Sequence, residues 1–523
     1  MTAVKNAIAV GLLACGLYGQ GSLDPAKLLQ PPTDTWPTYS GDYSGRRFSP
    51  LKRINSSNVK NLSLAFVYRI PPNLSAGTVK ATPLEVNGIL YFTIPDHVWA
   101  IDARTGREVW HHVHQSKGGI HLGNRGVGIY SNWLYFETPD CQLVSLNLKD
   151  GKERWHKPIC DLDQMYYASV APVIVKNHVL VGVSGDDLDI PGYYESRDPE
   201  TGDLQWHWSV VPKKGEPGFE SWPSQDAAEH GGGMTWGPTA YDPALNLIYF
   251  GTGNPQPVVA GKGRKGDNLF TESIVALNAD TGKLAWYFQP SPHDTHDWDN
   301  VQMPVLIDGV FNGQPRKLLA QACRNGWFFV LDRTNGKALV SKEYVRTNWA
   351  KGVDAKGQPI PNPAKEPQVD GSLVSPNQGG AANWPPPTFS PDTGLFYVNA
   401  TRAYSVWYLY ETDDKPEGWG GTDRGGFSEY LLQAIDYKTG SVKWSHKWEG
   451  PGGRSGLMST AGNLLFGGDA NGNFVALNAT SGEPLWHANV GAVSNAPMSY
   501  ELDGQQYVVI GVGDSVYGFT LNP

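Results

Sequence analysis

The chain has 523 residues, a formal net charge of -9 and a pI near 5.8. No basic stripe interrupts that acidic balance, which excludes nucleic acid as a partner class. With 61 Gly, 39 Pro, 19 Trp and 24 Tyr but only 18% charged residues, the composition excludes a long-helix protein and suits turns and aromatic strands.

Residues 1–21 read as an export signal. Lys5 supplies a thin basic region, and the apolar run Ala7 to Leu17 is too short to span a bilayer. Gly19 and Gly21 are small enough to mark cleavage. LLAC at 12–15 also resembles a lipoprotein box, so a lipid anchor at Cys15 is the lesser alternative. Export places residues 22–523 in the periplasm.

One phrase then recurs along the chain. An apolar pair precedes Asp or Asn, a turn ends in Gly, and a large residue follows four positions later. It reads AIDARTGREVW to Trp110, SLNLKDGKERW to Trp155 and SRDPETGDLQW to Trp206. It continues as ALNADTGKLAW to Trp286, VLDRTNGKALV to Val340, AIDYKTGSVKW to Trp444 and ALNATSGEPLW to Trp486. Each copy is a predicted β-hairpin whose Gly takes a positive φ, and whose Trp packs over the next unit. A second strand pair ahead of most copies makes units of four strands, the length of a propeller blade. The wide gaps between Gly202 and Gly282, and between Gly336 and Gly440, must hold insertions. Strand NLSLAFVYRI at 61–70 can complete an eighth unit with the C-terminal strands QQYVVIGVG and SVYGFTL, removing the open sheet edges. The fold expected is therefore all-β: one eight-bladed propeller over 22–523.

Cys141 and Cys160 flank the hairpin turning at Asp150-Gly151. Pairing residues about that turn sets the two cysteines opposite, where a disulfide can form; two buried thiols are the alternative. Cys323, in the apolar strand KLLAQAC, reads as an inert core thiol.

Four polar loops could face the axis: VSGDDLD (183–189), GTGNPQP (251–257), HDTHDWD (293–299) and CRNG (323–326). They offer Asp187, Asn254, Asp297 and Asp299, hard oxygen donors of the type that binds calcium-like cations. Any one of them alone reads as a capped turn; together they read as a site.

In these motifs the chain resembles the quinoprotein alcohol dehydrogenases, which bind pyrroloquinoline quinone (PQQ) and a metal inside an eight-bladed propeller. The opening segment WPTYSGDYSGRRFSPLKRINSSNVKNL (36–62) and the tryptophan repeats carry the resemblance over nearly the whole chain. It implies that Trp236 lies under the quinone. It implies cofactor contacts from Arg125, Ser169, Asn383 and Trp384, and from Ser184, Gly185 and Asp186 beside the metal ligand. Asp187 stands where the family has a glutamate ligand, with Asn254 as a second ligand. Asp297 matches the catalytic base and Arg324 the cation beside the reactive oxygens. Asp299 matches the extra carboxylate of lanthanide-dependent members, so a lanthanide is expected over Ca²⁺. Two departures stand out. Gly119 and Ile120 occupy the place of adjacent cysteines, putting His121 near the cofactor cap. Lys80 replaces a glutamate, where it could pair with a PQQ carboxylate.

The resemblance implies oxidation of a small alcohol to an aldehyde, with electrons passed to a separate acceptor such as a cytochrome c; no CxxCH haem motif occurs in the chain. Sugars, polyols or aldehydes are the alternative substrates. A non-catalytic propeller scaffold is the rival class, and a homodimer stays open.

Overall fold

A computed structural model describes residues 22–74, 77–185, 189–410, 418–450 and 455–522. The export signal, Cys15, Asp186 and Asp187 lie outside these residues. Among the described residues, no helix is long and apolar enough to cross a membrane.

Seven sheets follow in chain order, each with four antiparallel strands, at 84–113, 128–158, 173–209, 240–288, 305–343, 388–447 and 458–489; the sixth gains a fifth strand, and so does the seventh from Phe48–Ser49, which pairs parallel with Met458–Thr460. An eighth is built from the two ends of the fold. Strand Leu62–Arg69 pairs antiparallel with Ser515–Leu521, which continues through Gln505–Val512 to Met498–Leu502. The predicted eighth blade therefore forms as expected.

Docking between blades closes the ring. A Cβ added at Gly151 would meet Trp110 at 2.6 Å, and one at Gly282 would meet Trp206 at the same distance. Gly202, Gly336 and Gly482 abut Trp155, Trp286 and Trp444 in the same way, and Gly440 abuts Val340. Trp486 donates its indole N–H to Leu62 O in the eighth blade, at 3.1 Å. From that blade Phe66 covers Gly106 of the first, completing the circuit. The turn glycines have positive φ, 67° at Gly151 and 64° at Gly282, a region costly for residues with a Cβ. Several indoles also satisfy a carbonyl of the next blade: Trp110 to Leu148, Trp206 to Ala279 and Trp286 to Arg333.

A β-bulge sits immediately before every docking residue. The register shifts at this point in all seven repeats, so that Trp110, for example, stands opposite Ala100 while Glu108 stands opposite Ile101. The extra residue turns the side chain that follows onto the neighbouring blade. Simple pairing about the turn misses this. In the second blade the bulge at Arg154 leaves Gln142 opposite Pro158, so Ile159, not Cys160, stands against Cys141 and donates its N–H to Cys141 O. The disulfide between Cys141 and Cys160 nonetheless forms, with Cα atoms 5.0 Å apart. Cys323 is a buried free thiol.

The two wide gaps hold insertions. The first carries the short helix Gln225–Glu229. The second carries the hairpin Ala350–Val353 with Pro359–Pro361, and a strand, Ser372–Val374, added to the long pair Leu395–Leu409 and Gly421–Asp436.

Gly282→Ala tests the docking directly. It puts a methyl against Trp206 on a left-handed backbone, and should lower stability by about 1–3 kcal/mol, read as a drop in urea midpoint with little change in slope.

Candidate active site

Loops at one end of the strands converge on a cavity of about 970 Å³. It is lined by Lys80, Arg125, Ser169, Ser184, Gly185, Trp236, Asp297, Asp299, Arg324, Asn383 and Trp384, which motifs scattered over 300 residues of sequence had singled out. Asn254 lies behind this wall.

The first half of the site is flat and aromatic. The Arg125 guanidinium lies 4.6 Å from the Trp236 ring centroid and 5.4 Å from that of Trp384. A planar group therefore fits between these indoles. Arg125 Nη1 donates to Ser169 Oγ at 2.6 Å, and Ser169 Oγ is 3.3 Å from Ser184 Oγ. Trp236 is buried, and among the described residues its indole N–H meets no acceptor. Asn383 caps the following backbone, accepting from Trp384 N at 2.8 Å. Lys80 donates to Leu122 O at 2.7 Å, anchoring the loop that replaces the adjacent cysteines. Burial, reinforced by Arg125, lowers the Lys80 pKa. His121 is turned to Asp96, with Nε2 2.7 Å from its Oδ2.

The second half is charged and buried. Arg324 bridges two carboxylates: Nη2 donates to Asp297 Oδ2 and Nη1 to Asp299 Oδ2, both at 2.8 Å. Burial works against the Arg324 charge, but Asp297 and Asp299 outweigh it and raise its pKa. Asp299 Oδ1 accepts from the Asn254 N–H at 2.8 Å. Gly253 permits this approach; a Cβ there would lie 2.6 Å from Asp299 Oδ1. Burial raises the Asp299 pKa even against the pull of Arg324.

Among the described residues, no group of three His, Cys, Asp or Glu side chains is arranged to hold a metal ion. The donors present nevertheless suit a hard cation. Asp297 and Asp299 stand side by side on Arg324, and the buried Asn254 Oδ1 has no hydrogen-bond partner.

Four residues of the loop 293–299 have packing and hydrogen-bonding roles. Trp298 is buried and stacks on His296 with centroids 4.3 Å apart. His296 is buried against Trp298 and Trp407, its Nε2 3.1 Å from Lys365 O, and burial holds its pKa down at about 3. Asp294 Oδ2 accepts from the N–H groups of His296 and Trp298, and His293 Nδ1 meets Gly266 O at 2.8 Å.

Two features escaped the sequence motifs. Glu272 is fully buried and neither carboxyl oxygen has a hydrogen-bond partner. Burial, then Asp294 and Asp299, push its pKa well above the usual range. Gln378 reaches from another loop to Asp297. Nothing periodic marks either one; the adjacent Gly379-Gly380 pair was the only sign of an unusual loop.

The comparisons with known proteins agree. Residues 36–369 match the family described as glucose/ethanol/alcohol dehydrogenase, beta-propeller domain. Residues 428–522 match a second family, described as outer membrane protein assembly factor BamB. The quinohemoprotein alcohol dehydrogenase of Comamonas testosteroni is 36% identical over 93% of this chain and 74% of its own. The quinoprotein alcohol dehydrogenase PedH of Pseudomonas putida is 37% identical over 89% and 84%. The Comamonas enzyme's crystal structure superposes with a TM-score of 0.88, covering 95% of this chain and 82% of that one at 34% identity. A europium-containing methanol dehydrogenase gives 0.87 at 27% identity, covering 95% and 99%.

Removing Arg324 leaves two buried carboxylates uncompensated. Arg324→Ala should cost about 3–5 kcal/mol in metal-free protein. Adding Asp299→Asn to it should restore part of that loss, because one of the stranded charges goes; thermal melts of the two variants check this.

Proposed function

Since the chain belongs to the PQQ-dependent quinoprotein alcohol dehydrogenases, and is on that footing an oxidoreductase, we propose that this cavity oxidises an alcohol to its carbonyl compound with Asp297 as the base. The observation that carries this is the buried triad of Asp297, Arg324 and Asp299, which shares one cavity with the Trp236 face.

PQQ, when bound, supplies a two-electron acceptor that no side chain offers. Trp236, Trp384 and Arg125 would hold its plane, with polar contacts from Ser169, Ser184, Asn383 and Lys80. Asn254, Asp297 and Asp299 would hold the metal, joined by Asp187. Three carboxylates on one ion suit a trivalent lanthanide better than Ca²⁺, because their charge offsets more of its own.

Asp297 takes the hydroxyl proton of the alcohol. The bond from Arg324 Nη2 to Asp297 Oδ2 holds the carboxylate in place before substrate arrives, so little reorganisation is left for the reaction itself. Arg324 also faces the cavity with its positive charge, where negative charge builds as the proton leaves. The apolar wall and the burial of both acids exclude water and strengthen these interactions.

The cavity mouth favours alcohols over sugars or polyols. Ile120, Leu122 and Met165 line it and remain 45%, 58% and 57% exposed. An alkyl chain gains by covering such side chains, whereas extra hydroxyls would lose water there without finding partners. Electrons then pass to an external cytochrome c-type acceptor in the periplasm.

Asp297→Asn should still quench tryptophan fluorescence on PQQ addition, yet lose at least about 100-fold in kcat for dye-linked 1-butanol oxidation. Full turnover in that variant would overturn the assignment of the base. Reconstitution with PQQ should give more activity with La³⁺ than with Ca²⁺, and Asp299→Ala should reverse the order.

A further inference from the structure

The geometry points to Gln378 as the residue that positions Asp297, holding the base in one orientation beside Arg324. This rests on the assignment of Asp297 as the base.

Residues 375–382 form a strap laid across Arg324. Trp298 Nε1 donates to Asn377 O at 3.0 Å, and Ala381 N donates to Arg324 O at 2.8 Å. Between these two anchors, Gln378 O accepts from Arg324 twice, from Nε at 3.0 Å and Nη2 at 2.8 Å. Gly380 makes the close passage feasible. Its φ is +75°, and a Cβ there would lie 2.0 Å from Arg324 Cγ. The strap is thus fixed to the arginine by its backbone alone.

The Gln378 side chain reaches the base: its Nε2 donates to Asp297 Oδ2 at 2.8 Å. Arg324 Nη2 donates to the same oxygen at the same distance. One residue therefore grips the pair at both ends: its backbone carbonyl holds the guanidinium, and its amide holds the carboxylate. The two donors approach one carboxylate oxygen and fix the plane of the group.

The amide and the guanidinium together decide which way Asp297 faces as it takes the alcohol proton. An amide suits the task because it donates without titrating. A carboxylate there would have no proton to give and would repel Asp297; an alanine would leave one donor in place of two.

Gln378→Glu and Gln378→Ala separate this role from simple packing. The first keeps the shape of the side chain and removes the ionisation-independent donor; the second removes both. Both should lose about 10- to 100-fold in kcat near neutral pH while KM for 1-butanol moves far less. In Gln378→Glu the loss should shrink as pH falls, because the new carboxyl regains a proton to donate. In Gln378→Ala it should persist at every pH. Thermal midpoint and fluorescence quenching by PQQ should match the unsubstituted protein in both. Gln378→Glu with unsubstituted kcat and a flat comparison across pH would overturn the inference, as would a Gln378→Ala effect confined to KM. Asp297→Asn, run beside them, separates the failures. If it is inert while Gln378→Glu is fully active, only the positioning role falls; if it is active, the assignment of the base falls and the positioning role with it.

Discussion

The contact between a bulky side chain, in most blades a tryptophan, and the bare Cα of the next blade's turn glycine is what the rest of this molecule depends on. Val340 makes it on Gly440, Trp486 instead meets Leu62 O, and Phe66 over Gly106 completes the circuit. A glycine is needed twice over at such a position, for the left-handed backbone and for the space. Each blade then has a fixed distance and tilt to the next, and errors do not accumulate around the circuit. The loops that end the strands can therefore meet across the axis with a precision of a few tenths of an ångström, although they lie far apart in sequence. Asp299 against Gly253, and Gly380 against Arg324, are contacts that tolerate no slack.

Within that frame the site solves a problem of buried charge. Two carboxylates this close would each hinder the other's ionisation, and burial adds to the difficulty. Arg324 answers by contacting both. Glu272 nearby is buried as well, but among the described residues nothing hydrogen-bonds to either of its oxygens, and burial pushes its pKa well above the usual range. What separates these acids is whether a guanidinium reaches them. The flat half of the site uses the same group differently. Arg125 is held by its face between indoles rather than by paired hydrogen bonds to acids.

Much of this was legible in the sequence, for identifiable reasons. The blades were legible because Gly and Trp recur at a fixed offset that only a repeated hairpin demands. The closing strand at 61–70 was legible because the final strands lacked a partner. The bulge before each Trp was not, since an extra residue in a strand leaves no mark on composition; hence the one-residue error opposite Cys141. The acids of the site stood out as a dense polar run in a chain with few charges. Within that run, nothing in the sequence marks the stack of His296 on Trp298 that buries both. Gln378 was invisible because its importance lies wholly in a partner 81 residues away.

Strand Leu62–Arg69 is made early and Ser515–Leu521 last, yet the two are hydrogen-bonded neighbours. Loop-closure entropy grows only with the logarithm of the span, so this long detour costs little in equilibrium stability. Its cost falls on time. Seven blades can each assemble from neighbouring chain, whereas the eighth must wait for a contact of very high sequence separation, the kind that folds slowly. Until then Leu62–Arg69 is an unpaired edge carrying exposed Leu64 and Val67, open to pairing with another chain. Joining the ends thus gives both terminal strands a partner in the finished ring, and gives the unfinished one its most vulnerable interval.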